Sequence, residues 1–507
     1  MMDGGLNNHD TEPKIKKSKK KIFLIFFALV LALVVSYAFF IFWRFHSISG
    51  KISIENESSI PLLQSFQNMI ASTFSSKHKF LEGEKEGRIN ILLLGIAGKN
   101  YPGKNLTDTI MIMSIDTNRK KIALLSIPRD LYVKVSGQDY SSKINQIYQA
   151  GIQNDEGVSL IEDTVEEITG LNIQYYLIAD FDGFKKVIDD IGGINVTVEK
   201  DIYDTRYPGP NYSYEVFEIS KGSHQLDGET ALKYARERHN DSEGDFGRAK
   251  RQQQVIQAVK NKVFSIETLL NPITLHKLLS TLEDHVRTNI DFEEIDSFIA
   301  LSREVDTQNI NTAVVDAWKK DSLLKVSHIQ SGEIAAFILI PRVGNWSEIQ
   351  ELAGSIFDLD VIEKRREQIS REEASVAIVN ESGDNKLAGT LKTVLQDKLG
   401  IKRADIVTLK QQRLRDDTVI IDKTSGQKVY TLDELIKILP AKLVGQNDVI
   451  IDRSDITALG DYDVIAYLGN DIVSLYLFEE VSPEEYNQAQ EESDEFQMIP
   501  IQPEMRR

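Results

Sequence analysis

The run from Ile22 to Trp43 constrains this chain more than any other feature, because it holds no charged side chain. About 20 apolar residues in a helix span the hydrocarbon core of a bilayer, so this stretch is expected to cross a membrane. Lys14, Lys16, Lys17, Lys19, Lys20 and Lys21 stand directly before it. Such lysines are held on the cytoplasmic side, which puts the remaining chain outside. A cleaved signal peptide would have a shorter apolar core and small residues at a cut site. This run instead closes on Phe39-Phe40-Ile41-Phe42-Trp43-Arg44. The expectation is a cytoplasmic basic tail at 1–21, a single signal-anchor helix at 22–43 and a stalk at 44–87.

The chain beyond the anchor is too long for one core. A chain of 507 residues divides into two or three domains, and 41% hydrophobic residues suffice to bury them. The net charge of −18 argues against a nucleic-acid partner, whose phosphates call for clustered cations. The absence of cysteine excludes disulfides, a thiol nucleophile and thiolate metal sites.

Buried-strand runs at Ile89–Leu94, Ile110–Ile115 and Ile122–Ile127 predict a sheet, the last two joined as a hairpin. A helix is expected over Val158–Ile168 with Gly170 as its cap, a strand at Tyr175–Ile178 and a helix over Phe181–Asp190. Gly192-Gly193 is a tight turn, and Val196–Val198 another strand. This alternation predicts an α/β domain, a mixed sheet sandwiched by helices, at 88–345. A polar linker helix at 346–373 leads to a small second α/β domain at 374–473, followed by an acidic tail at 474–507. The second domain shows no constellation of nucleophile, base or metal ligands.

The chemistry gathers in the first domain. Asp108, between Thr107 and Thr109 at a strand entrance, suits a hard cation such as magnesium or forms an Asx turn. Pro128 ends a strand and presents Arg129 and Asp130 at the sheet's end, as a phosphate contact or a surface ion pair. Read as extended, Tyr234-Ala235-Arg236-Glu237-Arg238 points Tyr234, Arg236 and Arg238 to one face. Two guanidinium groups on one face are tolerable when they share an anion. Gly244–Gly247 reads as a turn before a helix over Arg248–Lys260. In that helix Arg248, Arg251 and Gln252 share one side of the first turn, and buried cations there call for an anion. Together these arginines predict a pyrophosphate site.

In order and combination, seven motifs carry a resemblance. They are Leu-Thr-Asp-Thr-Ile at 106–110, Ser-Ile-Pro-Arg-Asp at 126–130, Lys-Ile-Asn at 143–145 and Phe-Asp-Gly-Phe at 181–184. Ile-Gly-Gly-Ile-Asn-Val begins at 191, Leu-Asp-Gly-Glu-Thr-Ala-Leu-Lys-Tyr-Ala-Arg-Glu-Arg at 226, and Asp-Phe-Gly-Arg-Ala-Lys-Arg-Gln at 245. The chain resembles the LytR-CpsA-Psr family of cell-envelope glycopolymer transferases. Its second domain resembles the C-terminal module often appended to that family, by its strand-Asn-Glu-Ser-Gly start and its Tyr-Leu-Gly-Asn end.

The resemblance implies an apolar tunnel for a polyprenyl tail. It implies transfer of a glycan phosphate from a polyprenyl pyrophosphate to a sugar hydroxyl of peptidoglycan or another acceptor. By position Asp108 would be the ligand of Mg2+ (or Mn2+), and Arg129, Arg236, Arg238 and Gln252 would hold the pyrophosphate. Asp245 would be the base, and Asp130, Lys143, Arg248 and Arg251 complete the expected substrate-binding set. Two places depart from the family pattern. Many members carry another aspartate just after the first strand and an arginine just before the Asp-Thr pair, and those places here read Gly95-Ile96-Ala97-Gly98 and Leu106. These departures imply a metal site with fewer carboxylates. A hydrolase using water as acceptor and a non-catalytic envelope-binding or regulatory protein are the alternatives.

Overall fold

The computed structural model describes residues 79–99, 101, 103–208, 214–237, 244–263, 274, 277–278, 281, 284–317, 322–331, 334–409, 413–445, 459–476, 480–482 and 485. The expected basic tail, the anchor and most of the stalk lie outside the described residues. Among the described residues no helix is long and apolar enough to cross a membrane.

The chain enters the first unit on β1 (Arg88–Ile96) and returns through β2 (Thr107–Asp116) and β3 (Lys121–Ile127). The last two form the expected hairpin, with Asp116 opposite Lys121. A ribbon of β4 (Tyr132–Lys134) and β5 (Ser141–Lys143) leads to helices α1 (Ile147–Gln153) and α2 (Ser159–Thr169). Next come β6 (Tyr175–Asp180), α3 (Phe181–Asp190), β7 (Ile194–Val198), β8 (Ile202–Pro208), β9 (Tyr214–Ile219) and β10 (Gly222–Leu226). Helices α4 (Gly228–Arg236) and α5 (Gly244–Val263) follow. The unit closes with β11 (Val286–Thr288), α6 (Phe292–Glu304), β12 (Asp306–Val314), β13 (Leu324–Ser331) and β14 (Ile334–Pro341).

Among the described residues the central sheet runs β11-β6-β1-β2-β3-β12. It is mixed: β1 lies parallel to β6 and β3 parallel to β12, while β1–β2 and β2–β3 are antiparallel. Both faces are covered, which is why its strands read as nearly continuous apolar runs. Leu92, Leu94, Ile112 and Leu125 face Ile147, Ile161 and Val165 of α1 and α2. Ile89, Ile91, Ile115 and Ile122 face the opposite way, toward Leu301 near the end of α6.

Helices α7 (Ser347–Gly354) and α8 (Asp360–Glu372) lead to the second unit, which opens with β15 (Ser375–Asn380) and α9 (Leu387–Asp397). It continues through β16 (Arg403–Ile406), β17 (Val419–Asp422), α10 (Val429–Ile438), β18 (Lys442–Gly445) and β19 (Val464–Leu468). Its sheet runs β16-β15-β19-β17-β18 over a core built by Val376, Ile378, Leu391, Leu395 and Leu435.

Four expectations change. Tyr234–Arg236 is the last turn of α4, not a strand. Asp227 caps that helix by accepting from Thr230 N at 2.8 Å, and Ala231, Leu232 and Ala235 are strong helix formers. Gly244–Gly247 is the first turn of α5, because Phe246 is drawn into the main core. Arg248 and Arg251 therefore follow that first turn. The linker is a pair of helices, and Ile349, Ala353, Ile356 and Phe357 belong to the first unit's core. The start of the acidic tail is docked: Glu480 pairs with Arg342 at 2.7 Å, and Val481 N donates to Val326 O at 2.9 Å.

Candidate active site

The site is laid out by the exit of β1 and the entrance of β2. Gly95 lies opposite Thr109 and Ile96 opposite Thr107, so Asp108 is the extra residue of a β-bulge. A bulge re-aims a side chain out of the ladder. The strands touch closely here: a Cβ on Gly95 would lie 2.9 Å from Thr109 Cβ, which excludes larger residues.

The β2–β3 register pairs Ile110 with Ile127. Carried two residues further, past Pro128, it brings Arg129 opposite Asp108. Arg129 Nη1 donates to Asp108 Oδ1 at 2.9 Å, with both side chains largely shielded. The chain of charges continues inward. Arg129 Nε lies 3.5 Å from Asp130 Oδ2, and Lys143 Nζ is 2.6 Å from Asp130 Oδ1. Asp130 is 3% exposed, and its backbone oxygen accepts from Leu339 N at 3.0 Å. Asp130 and Lys143 thus hold the loop after β3, and Asp108 and Asp130 offset Arg129 and Lys143.

Asn145 ties the corner together. Its N–H donates to Arg129 O at 3.2 Å, and its carbonyl accepts from Thr107 Oγ1 at 3.2 Å. Its side-chain Oδ1 is buried without a hydrogen-bond partner. The sequence offered the Lys-Ile-Asn motif, but no spacing signal distinguished this oxygen.

Two further arginines come from α5. Arg248 is 8% exposed, and its Nη2 lies 3.4 Å from Asp108 O. Arg251 turns to the end of α4: its Nε donates to Tyr234 O at 3.1 Å, and its Nη2 meets Glu237 at the backbone oxygen and, at 3.3 Å, the carboxylate. Those bonds fill orphan acceptors at a helix C-terminus. Gln252 is half-buried, and its side chain makes no hydrogen bond among the described residues. Its neighbour Gln253, missed in the sequence, is 5% exposed and donates to Ser126 Oγ at 2.8 Å and Ala313 O at 3.0 Å. Gln254 accepts from Tyr234 Oη at 2.7 Å.

Arg236, the last residue of α4, differs from these. Its guanidinium carbon sits 4.5 Å from the Phe181 ring centre and 6.0 Å from that of Tyr207. It forms no hydrogen bond or ion pair among the described residues. Burial pushes the Tyr207 phenol up to about 12, with Arg236 pulling the other way. Arg238 lies outside the described residues. Asp245 is the second residue of α5, and its side chain lies outside the description.

A magnesium ion usually takes one or two carboxylates, substrate phosphates and waters. Among the described residues no group of three or more His, Asp or Glu side chains is placed to hold a metal ion, and Asp108 offers one carboxylate oxygen beyond the one bonded to Arg129. Ala97, 4% exposed, packs with Phe181 and Leu232.

"Regulatory protein MsrR" of Staphylococcus aureus (strain COL) is 38% identical over 209 residues, 41% of this chain. The chain spans 58% of that relative's length. "Polyisoprenyl-teichoic acid--peptidoglycan teichoic acid transferase TagU" of Bacillus licheniformis is 26% identical over 280 residues, covering 55% of this chain and 81% of the relative. The crystal structure of B. subtilis TagV is 28% identical, with a TM-score of 0.42 over 54% of this chain and 97% of that one. The model of the LytR_cpsA_psr family matches residues 60–333, more than half the chain. This protein belongs to the LytR_cpsA_psr family.

Proposed function

We propose that this protein transfers a glycan phosphate from a polyprenyl pyrophosphate to a sugar hydroxyl of the cell wall, with peptidoglycan as the acceptor. The observation that carries the reading is the gathering of Arg129 and Arg248 on one bulged residue, Asp108. These cations come from separate elements, and in this reading Arg236, unpaired among the described residues, would supply a third guanidinium. Such an arrangement serves phosphoryl transfer, which depends on positioning and charge neutralisation more than on covalent chemistry by the protein. The TagU relative is named for teichoic acid transfer, which supports the same class of reaction.

In this reading the acceptor hydroxyl oxygen attacks the glycan-side phosphorus. A new O–P bond forms, and the bond to the prenyl-side phosphate breaks. The electron pair departs on polyprenyl phosphate, whose charge Arg129 and Arg236 offset. Arg238 and Gln252 would hold the remaining phosphate oxygens, and Asp245 would take the acceptor proton. Asp108, with the substrate's phosphates, would hold magnesium, which when bound neutralises phosphate charge. The membrane anchor of the proposal is the uncharged run at 22–43, with the enzyme outside the cell.

The test is a transfer assay with purified full-length chain, magnesium, a labelled polyprenyl-pyrophosphate oligosaccharide and peptidoglycan fragments. Label should join the acceptor, and Arg236→Ala should lower the rate by about 100-fold. Release of labelled glycan phosphate alone would identify a hydrolase. Retained lipid binding without turnover would favour the regulatory role that the name of MsrR suggests.

A further inference from the structure

We infer that Phe181 and Tyr207 are positioning residues that hold Arg236 by its π-faces, so that its hydrogen-bond donors stay available to an anion. The inference rests on the proposed pyrophosphate donor and deepens it.

The contrast among the arginines motivates it. Arg129 is bonded to Asp108, Arg248 approaches Asp108 O, and Arg251 is bonded to the end of α4. Arg236 has no such bond among the described residues, yet it is half-buried. A half-buried guanidinium without a carboxylate needs another source of order. Here it is aromatic: the Phe181 ring centre lies 4.5 Å away and the Tyr207 ring centre 6.0 Å away. Cation–π contact fixes the plane of the group without occupying a single N–H. An ion pair would do the opposite, because its partner would compete with the substrate.

Each ring is itself braced. Phe181 opens α3, whose cap Asp180 accepts from Gly183 N at 2.7 Å. The edge of Tyr101 meets Phe181 at 5.4 Å and 77°. Tyr207 leans on Phe217 across the β8–β9 ribbon at 5.5 Å. Helices α3 and α4 are locked at close range, since a Cβ on Gly228 would lie 2.2 Å from Lys185 O. Phe181 and Arg236 thus sit on two helices in close contact, and Tyr207 shares a core cluster with Ala231, Tyr234 and Ala235 of α4. Tyr207 also keeps its hydroxyl buried without a hydrogen-bond partner. Fold stability alone gives no reason to prefer that tyrosine to phenylalanine. The ring beside Arg236 is the feature that the inference assigns a task.

A double-mutant cycle tests this, using full-length chain in detergent and a polyprenyl pyrophosphate as probe. Binding is measured for the wild type, Phe181→Leu, Arg236→Ala and the double variant, with melting temperatures alongside. Phe181→Leu should weaken binding about tenfold when Arg236 is present. With Arg236 already removed it should weaken binding less than about twofold. Tyr207→Leu, run in a parallel cycle, should behave in the same way and covers misfolding of the first variant. Phe181→Tyr, which keeps the ring, should bind within about twofold of wild type. Equal losses in both backgrounds mean that the rings act through the fold alone and overturn the inference. Failure of the wild type to bind the probe overturns the donor reading itself, and this inference with it.

Discussion

At the scale of single residues, Gln252 and Gln253 separate binding from folding. Adjacent on α5, they have opposite environments: the Gln252 side chain makes no hydrogen bond among the described residues, whereas that of Gln253 bridges Ser126 Oγ and Ala313 O. Gln253→Ala leaves a buried hydroxyl and a carbonyl without their partner, at a cost of about 1–3 kcal/mol. Thermal denaturation should show that loss, with turnover per folded molecule unchanged at low temperature. Gln252→Ala should do the reverse, keeping the melting temperature and lowering turnover in the transfer assay. Equal melting temperatures for Gln253→Ala and wild type would remove its structural role. Sequence reasoning singled out Gln252 because helical spacing lined it up with Arg248 and Arg251. It passed over Gln253 because a glutamine's partners on β3 and β12 are set by packing, which spacing does not encode. The same limit applied to Arg251, whose cationic character was legible but whose partner at the end of α4 was not. Asp108 and Arg129 were legible as separate motifs, and only the strand register joins them.

At the scale of elements, α2 carries a cluster of acids whose balance depends on pH. Burial pushes the Glu162 carboxyl up to about 7, and the neighbouring Glu166 and Asp163 push the same way. A group raised in the folded state contributes stability that is fully present below its unfolded value of 4.5 and is lost as pH rises through about 7. Glu162→Gln removes that loss. Its melting temperature should therefore gain on wild type as pH is raised from about 4.5 to about 8, and a constant difference across that window would refute the assignment. Elements with one strong period were legible: α3 falls on the expected residues, and β2 and β3 contain the expected runs. The end of α4 was not. An alternation of arginine and glutamate at 236–238 imitates a strand, while the cap at Asp227 and the helix formers behind it decide the outcome upstream. Glycines misled in the same way at Gly244–Gly247, where burial of Phe246 outweighs the turn propensity of its neighbours.

At the scale of the whole molecule, the two units meet through buried charge rather than through apolar surface alone. Lys398, with its side chain fully enclosed, lies 2.8 Å from Glu348 Oε2 and donates to Ser322 O at 2.8 Å. Lys398 comes from the end of α9 in the second unit, Glu348 from α7, and Ser322 from the loop before β13. Burial pushes the Glu348 carboxyl up and the Lys398 amine down, and the attraction between them opposes both shifts. Nearby, Arg365 pairs with Glu351 at 3.4 Å and with Glu434, through its Nε, at 3.1 Å, while Asn345 donates to Lys437 O at 3.0 Å. None of this was legible, because the linker read as a polar helix and its ion partners lie far along the chain. A buried pair contributes little over an apolar replacement, but losing one partner strands the other charge, at a cost of about 3–5 kcal/mol. Lys398→Met should therefore lower stability by about that amount, and scanning calorimetry should resolve two transitions where the wild type gives one. Adding Glu348→Leu removes the stranded carboxylate and should restore most of the stability and the single transition. If Lys398→Met melts like wild type, the charges decorate the contact without joining the units, and their cohesion must come from the apolar packing of Ile349, Ala353 and Ile356.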